Sequence, residues 1–307
     1  MSASTVTRGA ALVDDYLLLW VLLSVAVGLG VPSVAVLTPL STPILAVMIG
    51  AVSLTLAPDR FRQIRGRALV VILVVQTGMP LLAFTIARLL TLNPALTAGF
   101  VVLGAVTPEL VTPTMTELSG GDTALSTVVL VVVGLGTLVL VPGVVTVLLG
   151  ESVPVEPGLI VEQLLLAVVI PMTLAVAARY RWPARIGQYD EFYPSVSGLM
   201  VILIIGIVAA ANASLIRDGG NILVLVAAGA VVLNGSGYVV GWLVSWQFPR
   251  DERIAATLSI GMRDFAVAAT LLVGAGFPTA ATLPAVVFGI IEMTTSAGLA
   301  KWFRSSQ

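Results

Sequence analysis

Long apolar runs recur along the whole of this 307-residue chain, and they constrain it more than any other feature. A helix needs about 20 apolar residues to cross the hydrocarbon core of a bilayer. Ten segments of that kind fall near 16–32, 37–57, 68–91, 95–118, 122–149, 158–178, 192–212, 220–247, 252–276 and 280–302. Short connections of Pro, Gly and charge separate them, among them Pro58-Asp59-Arg60, Asn93-Pro94, Gly120-Gly121-Asp122, Arg181-Trp182-Pro183, Gly219-Gly220 and Phe248-Pro249-Arg250. Only 10% of residues are charged, against about 25% in soluble domains, so the chain cannot clothe a globular surface in solvated side chains. The expected fold class is an all-α integral membrane protein with ten transmembrane helices. Arg8 followed by Asp14-Asp15 makes a poor start for a cleaved signal peptide, so the first apolar run is expected to stay in the membrane.

Absent residue types remove whole functions. With no Cys and no His there are no disulfides, no thiolate nucleophile and no imidazole for metal or proton transfer. No Walker signature and no HExxH run appears, so neither a nucleotide-driven pump nor an enzyme is expected, and no nucleotide is expected as partner. A net charge of -1 gives no general attraction to nucleic acid. The partners left are the lipid bilayer and a small solute.

Basic residues gather on the cytoplasmic side of membrane proteins. With the amino terminus inside, twelve of the fifteen lie in inner segments: Arg8, Arg60, Arg62, Arg65, Arg67, Arg179, Arg181, Arg185, Arg250, Arg253, Lys301 and Arg304. Arg88 and Arg217 lie outside, and Arg263 falls within a span. The expectation is a multi-pass protein of the cytoplasmic membrane with both termini in the cytoplasm. Tyr16, Trp20, Trp182, Tyr189, Trp242, Trp246 and Trp302 stand near span ends, as an interfacial aromatic belt requires.

Two spans are not apolar throughout. Span four holds Thr107-Pro108-Glu109-Leu110-Val111-Thr112-Pro113-Thr114, where two prolines remove backbone donors and block a regular helix. Span nine holds Ser259-Ile260-Gly261-Met262-Arg263-Asp264-Phe265. An Arg or Asp at a helix centre costs about 2.5–3.5 kcal/mol on insertion scales. Glu109 and Arg263 are 154 positions apart, half the chain, and so are Pro80 in span three and Asn234 in span eight. That spacing points to a duplication of five spans, and an odd number of spans inverts the second copy. Inverted repeats with matching broken helices are the mark of a secondary transporter with a midplane site. Repeat one is expected over about 16–150 and repeat two over about 157–303, with spans 4 and 9 as discontinuous crossing helices. Freed amides at the breaks suit an anionic substrate and freed carbonyls suit cations.

Each polar residue also has a plainer role open to it. Glu109 is either a pathway carboxylate or a cap on freed amides, and Arg263 and Asp264 either serve a site or form separate buried pairs. Gln76 is a ligand or an interhelical hydrogen bond. Thr112, Thr114 and Ser126 are ligands or bond back to their own helices. Glu117 and Asp122 read as a solvated helix end and an amino-terminal cap. Glu292 in the last span faces a crevice or the packed interior.

At these residues the sequence resembles the bile acid:sodium symporter family and its prokaryotic members, within a wider bile acid, arsenite and riboflavin transporter superfamily. The stretches are Ser53-Leu54-Thr55-Leu56-Ala57-Pro58-Asp59-Arg60-Phe61, Gln76-Thr77-Gly78-Met79-Pro80-Leu81-Leu82-Ala83, Gly120-Gly121-Asp122-Thr123-Ala124-Leu125-Ser126, Gly261-Met262-Arg263-Asp264 and Leu283-Pro284-Ala285-Val286-Val287-Phe288. The resemblance implies a core domain from spans 3–5 and 8–10 moving against a panel domain from spans 1, 2, 6 and 7, exposing a central organic-anion site to each side in turn. It places sodium ligands at Gln76, Ser126, Thr112, Ser259 and Arg263, where the family's serine-asparagine pair falls on or near Thr112-Pro113. It also shows replacements: Ser259 stands for an acid, Arg263-Asp264 for Gln-Asn, and Leu130 for a threonine. A guanidinium beside a cation site opposes sodium by several kcal/mol at low effective dielectric. Arg263 is then expected to replace a sodium charge, holding the substrate anion or pairing with Asp264 or Glu109, and Glu109 or Glu292 to couple transport to protons. The substrate-binding set is expected among Glu109, Thr112, Thr114, Asn234, Arg263, Asp264 and Glu292, with no cofactor and no catalytic residue. An uncoupled carrier, or a channel or sensor on the same fold, is the alternative.

The missing cysteines make the topology directly testable. A single Cys at Ser305 should react with membrane-permeant maleimide and not with an impermeant one in intact cells, whereas Asp218→Cys should react with both.

Overall fold

The computed structural model describes residues 13, 16–56, 66–153 and 155–305. Arg8, Asp14, Asp15, Arg60, Arg62 and Arg65, which carried part of the sequence reading, lie outside them, as does part of the Ser53–Phe61 stretch. The described residues are helical almost throughout. α1 is Leu17–Gly30 and α2 is Ser41–Ser53, entered through a 3-10 segment at Pro32–Leu40. α3 (Gly66–Leu89), α4 (Pro94–Ala105), α5 (Thr112–Leu118) and α6 (Thr123–Leu149) follow. After them come α7 (Pro157–Arg181), α8 (Tyr193–Ala211), α9 (Gly220–Val244), α10 (Arg250–Gly261), α11 (Phe265–Gly274) and α12 (Leu283–Ser305).

Eight of the described helical segments are long and apolar enough to cross a membrane, and the chain is a multi-pass membrane protein. Ten spans were expected. The difference lies in the shorter apolar helices α1 and α4, which fall on the first and fourth expected segments. α4 is short because the backbone leaves the helix at Val106 and re-enters it only at Thr112.

The prolines of that break divide the work. Pro108 lies in the unwound stretch, whereas Pro113 sits in the first turn of α5, where a missing amide costs nothing. Side chains cap the neighbouring helices as their types suggest: Asn93 accepts from Leu96 N at the start of α4, and Asp122 from Leu125 N at 2.9 Å at the start of α6.

α1, α2, α7 and α8 pack on one another, and α3 to α6 pack with α9, α10 and α12. The two sets meet where α11 packs on α2, α8 and the first half of α7, where α6 packs on the first half of α7, and where α12 touches α1 and α8. Glycines allow the closest approaches inside the second set. A Cβ on Gly261 would stand 2.1 Å from Cδ1 of Tyr238, and one on Gly237 would meet Cα of Gly261 at 2.8 Å. Gly261 therefore ends α10 as a packing residue for the α9–α10 contact, and the break begins after it.

Arginines tie the helix ends together. Arg250 Nη2 donates to the carbonyl of Phe303 at 2.8 Å, Arg253 Nε to that of Trp242 at 3.0 Å, and Arg304 Nε to that of Leu118 at 3.1 Å. Each acceptor lies in the last turn of another helix, where carbonyls lack intrahelical donors. The guanidinium of Arg253 also stacks 3.5 Å from the Trp242 ring centroid. We call this the basic end of the bundle.

Gly261→Ala should lower stability by about 1–3 kcal/mol through overpacking. The double variant with Tyr238→Ala should lose less than the sum of the two single changes, read as apparent Tm in detergent.

Candidate substrate and coupling site

The two unwound segments meet. Asp264 N donates to the carbonyl of Thr107 at 3.0 Å, and Arg263 Nη1 donates to the carbonyl of Val106 at 3.2 Å. Both acceptors are carbonyls freed where α4 ends, and both donors come from the three-residue gap between α10 and α11. In a lipid environment each such group needs an internal partner, and each break supplies what the other lacks. Asp264 also caps α11, accepting from Val267 N at 2.8 Å. The carboxyl of Glu109 lies against the backbone N–H groups of Leu110 and Phe265, reaching from the first break to the first residue of α11. Arg263 and Asp264 are therefore not neighbours on a helix; they occupy the gap itself.

Glu292 of α12 closes the cluster. It lies against the backbone N–H of Arg263, and its charge acts on Arg263 and Glu109. Glu109, Arg263, Asp264 and Glu292 are all buried, at 5%, 1%, 0% and 1% exposure. None makes an ion pair within 4.0 Å among the described residues. Arg263 Nε and Nη2 and one carboxyl oxygen of each acid have no hydrogen-bond partner among those residues. Three acids and one guanidinium are thus buried together, with Glu292 the acid whose charge acts on Arg263, and uncompensated burial costs several kcal/mol per ion. Such a cluster is a functional candidate by its cost alone.

A second layer lies beside it. Gln76 Nε2 donates to the carbonyl of Ser259 at 2.7 Å, and Asn234 Nδ2 to that of Gly261 at 3.2 Å. Ser126 Oγ receives Thr116 Oγ1 at 3.2 Å and Ser259 Oγ at 3.5 Å, while Thr112 Oγ1 bonds back to Glu109 O at 2.6 Å. Of the positions that the resemblance assigns to sodium, Gln76, Ser259 and Ser126 are thus joined by hydrogen bonds, Thr112 is linked to them through Thr116, and Arg263 bonds instead to Val106 O. Among the described residues no group of three or more acidic side chains converges tightly enough to hold a metal ion. Thr114 stands apart, exposed on α5.

Sequence reasoning passed over Thr116, which lies one helical turn after Thr112 and on its face. It also passed over Thr295, whose hydroxyl donates to Asn234 Oδ1 at 2.7 Å. Tyr238, packed on Gly261, was missed because nothing in a run of apolar residues announces a ring contact.

An apolar cavity of about 450 Å³ opens beside the second half of α7, lined by Val131, Leu135, Met172, Thr173, Val176 and Tyr180, among others. Gly134 links it to the crossing, since a Cβ there would lie 3.0 Å from Met172 Cε and 3.9 Å from Thr107 Oγ1.

Residues 42–218 match the Sodium Bile acid symporter family, more than half of the chain. The chain belongs to that family. It is 25% identical over 293 residues, 93% of this chain and 89% of the relative, to the Bacillus subtilis (strain 168) protein named "Uncharacterized sodium-dependent transporter YocS". Two proteins of Oryza sativa subsp. japonica are also similar. "Probable sodium/metabolite cotransporter BASS3, chloroplastic" is 27% identical over 71% of this chain, and "Probable sodium/metabolite cotransporter BASS2, chloroplastic" is 25% identical over 81%. This chain covers 53% and 60% of the lengths of those two plant relatives. Membership of a transporter family implies that the protein is not an enzyme.

The cap at α11 gives a clean test. Asp264→Ala should cost about 1 kcal/mol more than Asp264→Asn, because Asn keeps the oxygen that Val267 N requires; thermal unfolding of the two variants measures the difference.

Proposed function

We propose that this protein is a secondary active transporter that moves a small organic anion across the cytoplasmic membrane by alternating access. Its ten spans form two inverted five-helix repeats, with a core of spans 3–5 and 8–10 sliding against a panel of spans 1, 2, 6 and 7. The observation that carries the reading is Arg263, buried where the two broken helices cross, with Nε and Nη2 unpartnered. A guanidinium offers a planar fork matched to a carboxylate or sulfonate. The apolar cavity near Met172 has the size of a solute pocket, ~300–1,000 Å³, and suits the hydrocarbon part of an amphipathic acid. The packing of α1 and α2 on α8, and of α7 on α2, supports the panel, and the two bodies bear on each other through α11, through α6 against α7 and through α12 against α1 and α8.

The relatives' names carry sodium as coupling ion. In this chain the hydrogen bonds among Gln76, Ser259, Ser126 and Thr116 support a different coupling. Arg263 takes the place of a sodium charge, and Glu109 or Glu292 carries the proton that drives uptake. Both termini lie in the cytoplasm.

Proteoliposomes carrying imposed sodium and proton gradients separately, offered a panel of labelled small carboxylates and sulfonates, test the reading. Uptake should follow an inward proton gradient, be indifferent to sodium, and show counterflow as a carrier does and a channel does not. Arg263→Gln and Arg263→Lys should each lower uptake at least about tenfold, the equivalent of ~1.4 kcal/mol, because Lys lacks the fork. Uptake that depends on sodium alone overturns the coupling, and absence of counterflow overturns the carrier.

A further inference from the structure

A second cavity, of about 240 Å³, lies at the basic end between α5 and α12, lined by Met115, Leu118, Ala297, Ala300, Lys301 and Arg304. It holds the volume of about eight waters at ~30 Å³ each. That falls below the ~300 Å³ at which solute pockets begin, so it suits a headgroup better than a whole organic solute. Leu118, Ala297, Lys301 and Arg304 are exposed, so the groove opens at the surface.

Its two chemistries sit at different heights. Alanines, Met115 and Leu118 make an apolar wall, and Lys301 and Arg304 supply two cations one turn apart at its rim. The hydrogen bond from Arg304 Nε to Leu118 O holds the guanidinium over the groove. Trp302, 55% exposed between the two cations, marks the level at which indoles meet phospholipid headgroups. Lys301 and Arg304 are the charged residues among those that line the groove; the acids at this end are Glu117 on α5 and, where α6 and α10 begin, Asp122, Asp251 and Glu252, with Arg250 and Arg253 among them. A free anion would find charge here and nothing for the exposed apolar wall. A lipid satisfies both, with its phosphate at the cations and an acyl chain running along α12 into the hydrocarbon.

We propose that this groove binds the headgroup of an anionic phospholipid through Lys301 and Arg304, and that the lipid clamps α5, the short arm of the first broken helix, to α12. The site stands apart from the transport reading and does not depend on it.

Native mass spectrometry of the full chain, released from bilayers of equal parts phosphatidylglycerol and phosphatidylcholine, tests the assignment. The wild type should retain phosphatidylglycerol in preference. Lys301→Gln and Arg304→Gln should each lower that preference about fivefold, the ~1 kcal/mol that a basic residue contributes beside anionic lipid. Lys301→Arg should keep it, and the control Arg88→Gln/Arg181→Gln should leave it unchanged. Undiminished preference in Lys301→Gln/Arg304→Gln, or an equal loss in the control, overturns the proposal. Displacement of the retained lipid by inorganic phosphate overturns it in favour of a soluble anion. Should Lys301→Gln/Arg304→Gln fail to fold, the Tm of the wild type decides: phosphatidylglycerol added to detergent must raise it more than phosphatidylcholine does.

Discussion

Everything near the middle of this protein depends on one exchange of hydrogen bonds: the carbonyls of Val106 and Thr107 accept from Arg263 and from the amide of Asp264. A bilayer offers no water to unwound backbone, and each orphaned group there costs several kcal/mol. Two breaks are therefore more easily borne than one, provided that they touch. The exchange sets the rest in order. It fixes α4 against α11, lets Glu109 reach the amide of Phe265, and leaves Asp264 free to cap α11. The buried charges thereby become part of the backbone's own solution, with Arg263 and Asp264 each making a bond that the unwound chain needs.

Small residues and arginines solve the complementary problem of holding short helices in place. α5 has seven residues and α11 ten, too few to be stable alone. α11 is anchored by burial on every side, and α5 by α6, α12 and the bond from Arg304 to Leu118. Close glycine contacts at Gly237 and Gly261 draw α9 onto α10, where van der Waals packing replaces the hydrophobic drive that lipid removes. Basic residues that signal topology in the sequence thus also satisfy the last carbonyls of neighbouring helices.

Much of the site was legible in advance, and for one reason. A charge or a proline in a membrane span is costly, so its presence is informative; Pro108, Glu109, Arg263, Asp264 and Glu292 stood out on that ground alone. Hydroxyls do not stand out. Thr116 bonds back to its own helix and Thr112 to the carbonyl three residues before it, as threonines do without any function, and only burial, with the bond from Thr116 to Ser126, separates them from Thr114. The ring of Tyr238 and the hydroxyl of Thr295 carried no signal, because their importance lies in a contact between helices far apart in the chain.

The sequence by itself determined the class of the molecule, the places of its helices and the two interruptions, because hydropathy, proline and buried charge act locally and cannot be hidden in a bilayer. It also carried the family, through short stretches spread over the chain. Only the tertiary structure decided which groups the interruptions offer each other: that carbonyls of one break receive the donors of the other, that Arg263 keeps two nitrogens unpartnered, and that Gln76, Ser126 and Ser259 bond among themselves. Those outcomes depend on distances of about 3 Å between segments half a chain apart, and no local rule of sequence fixes such a distance.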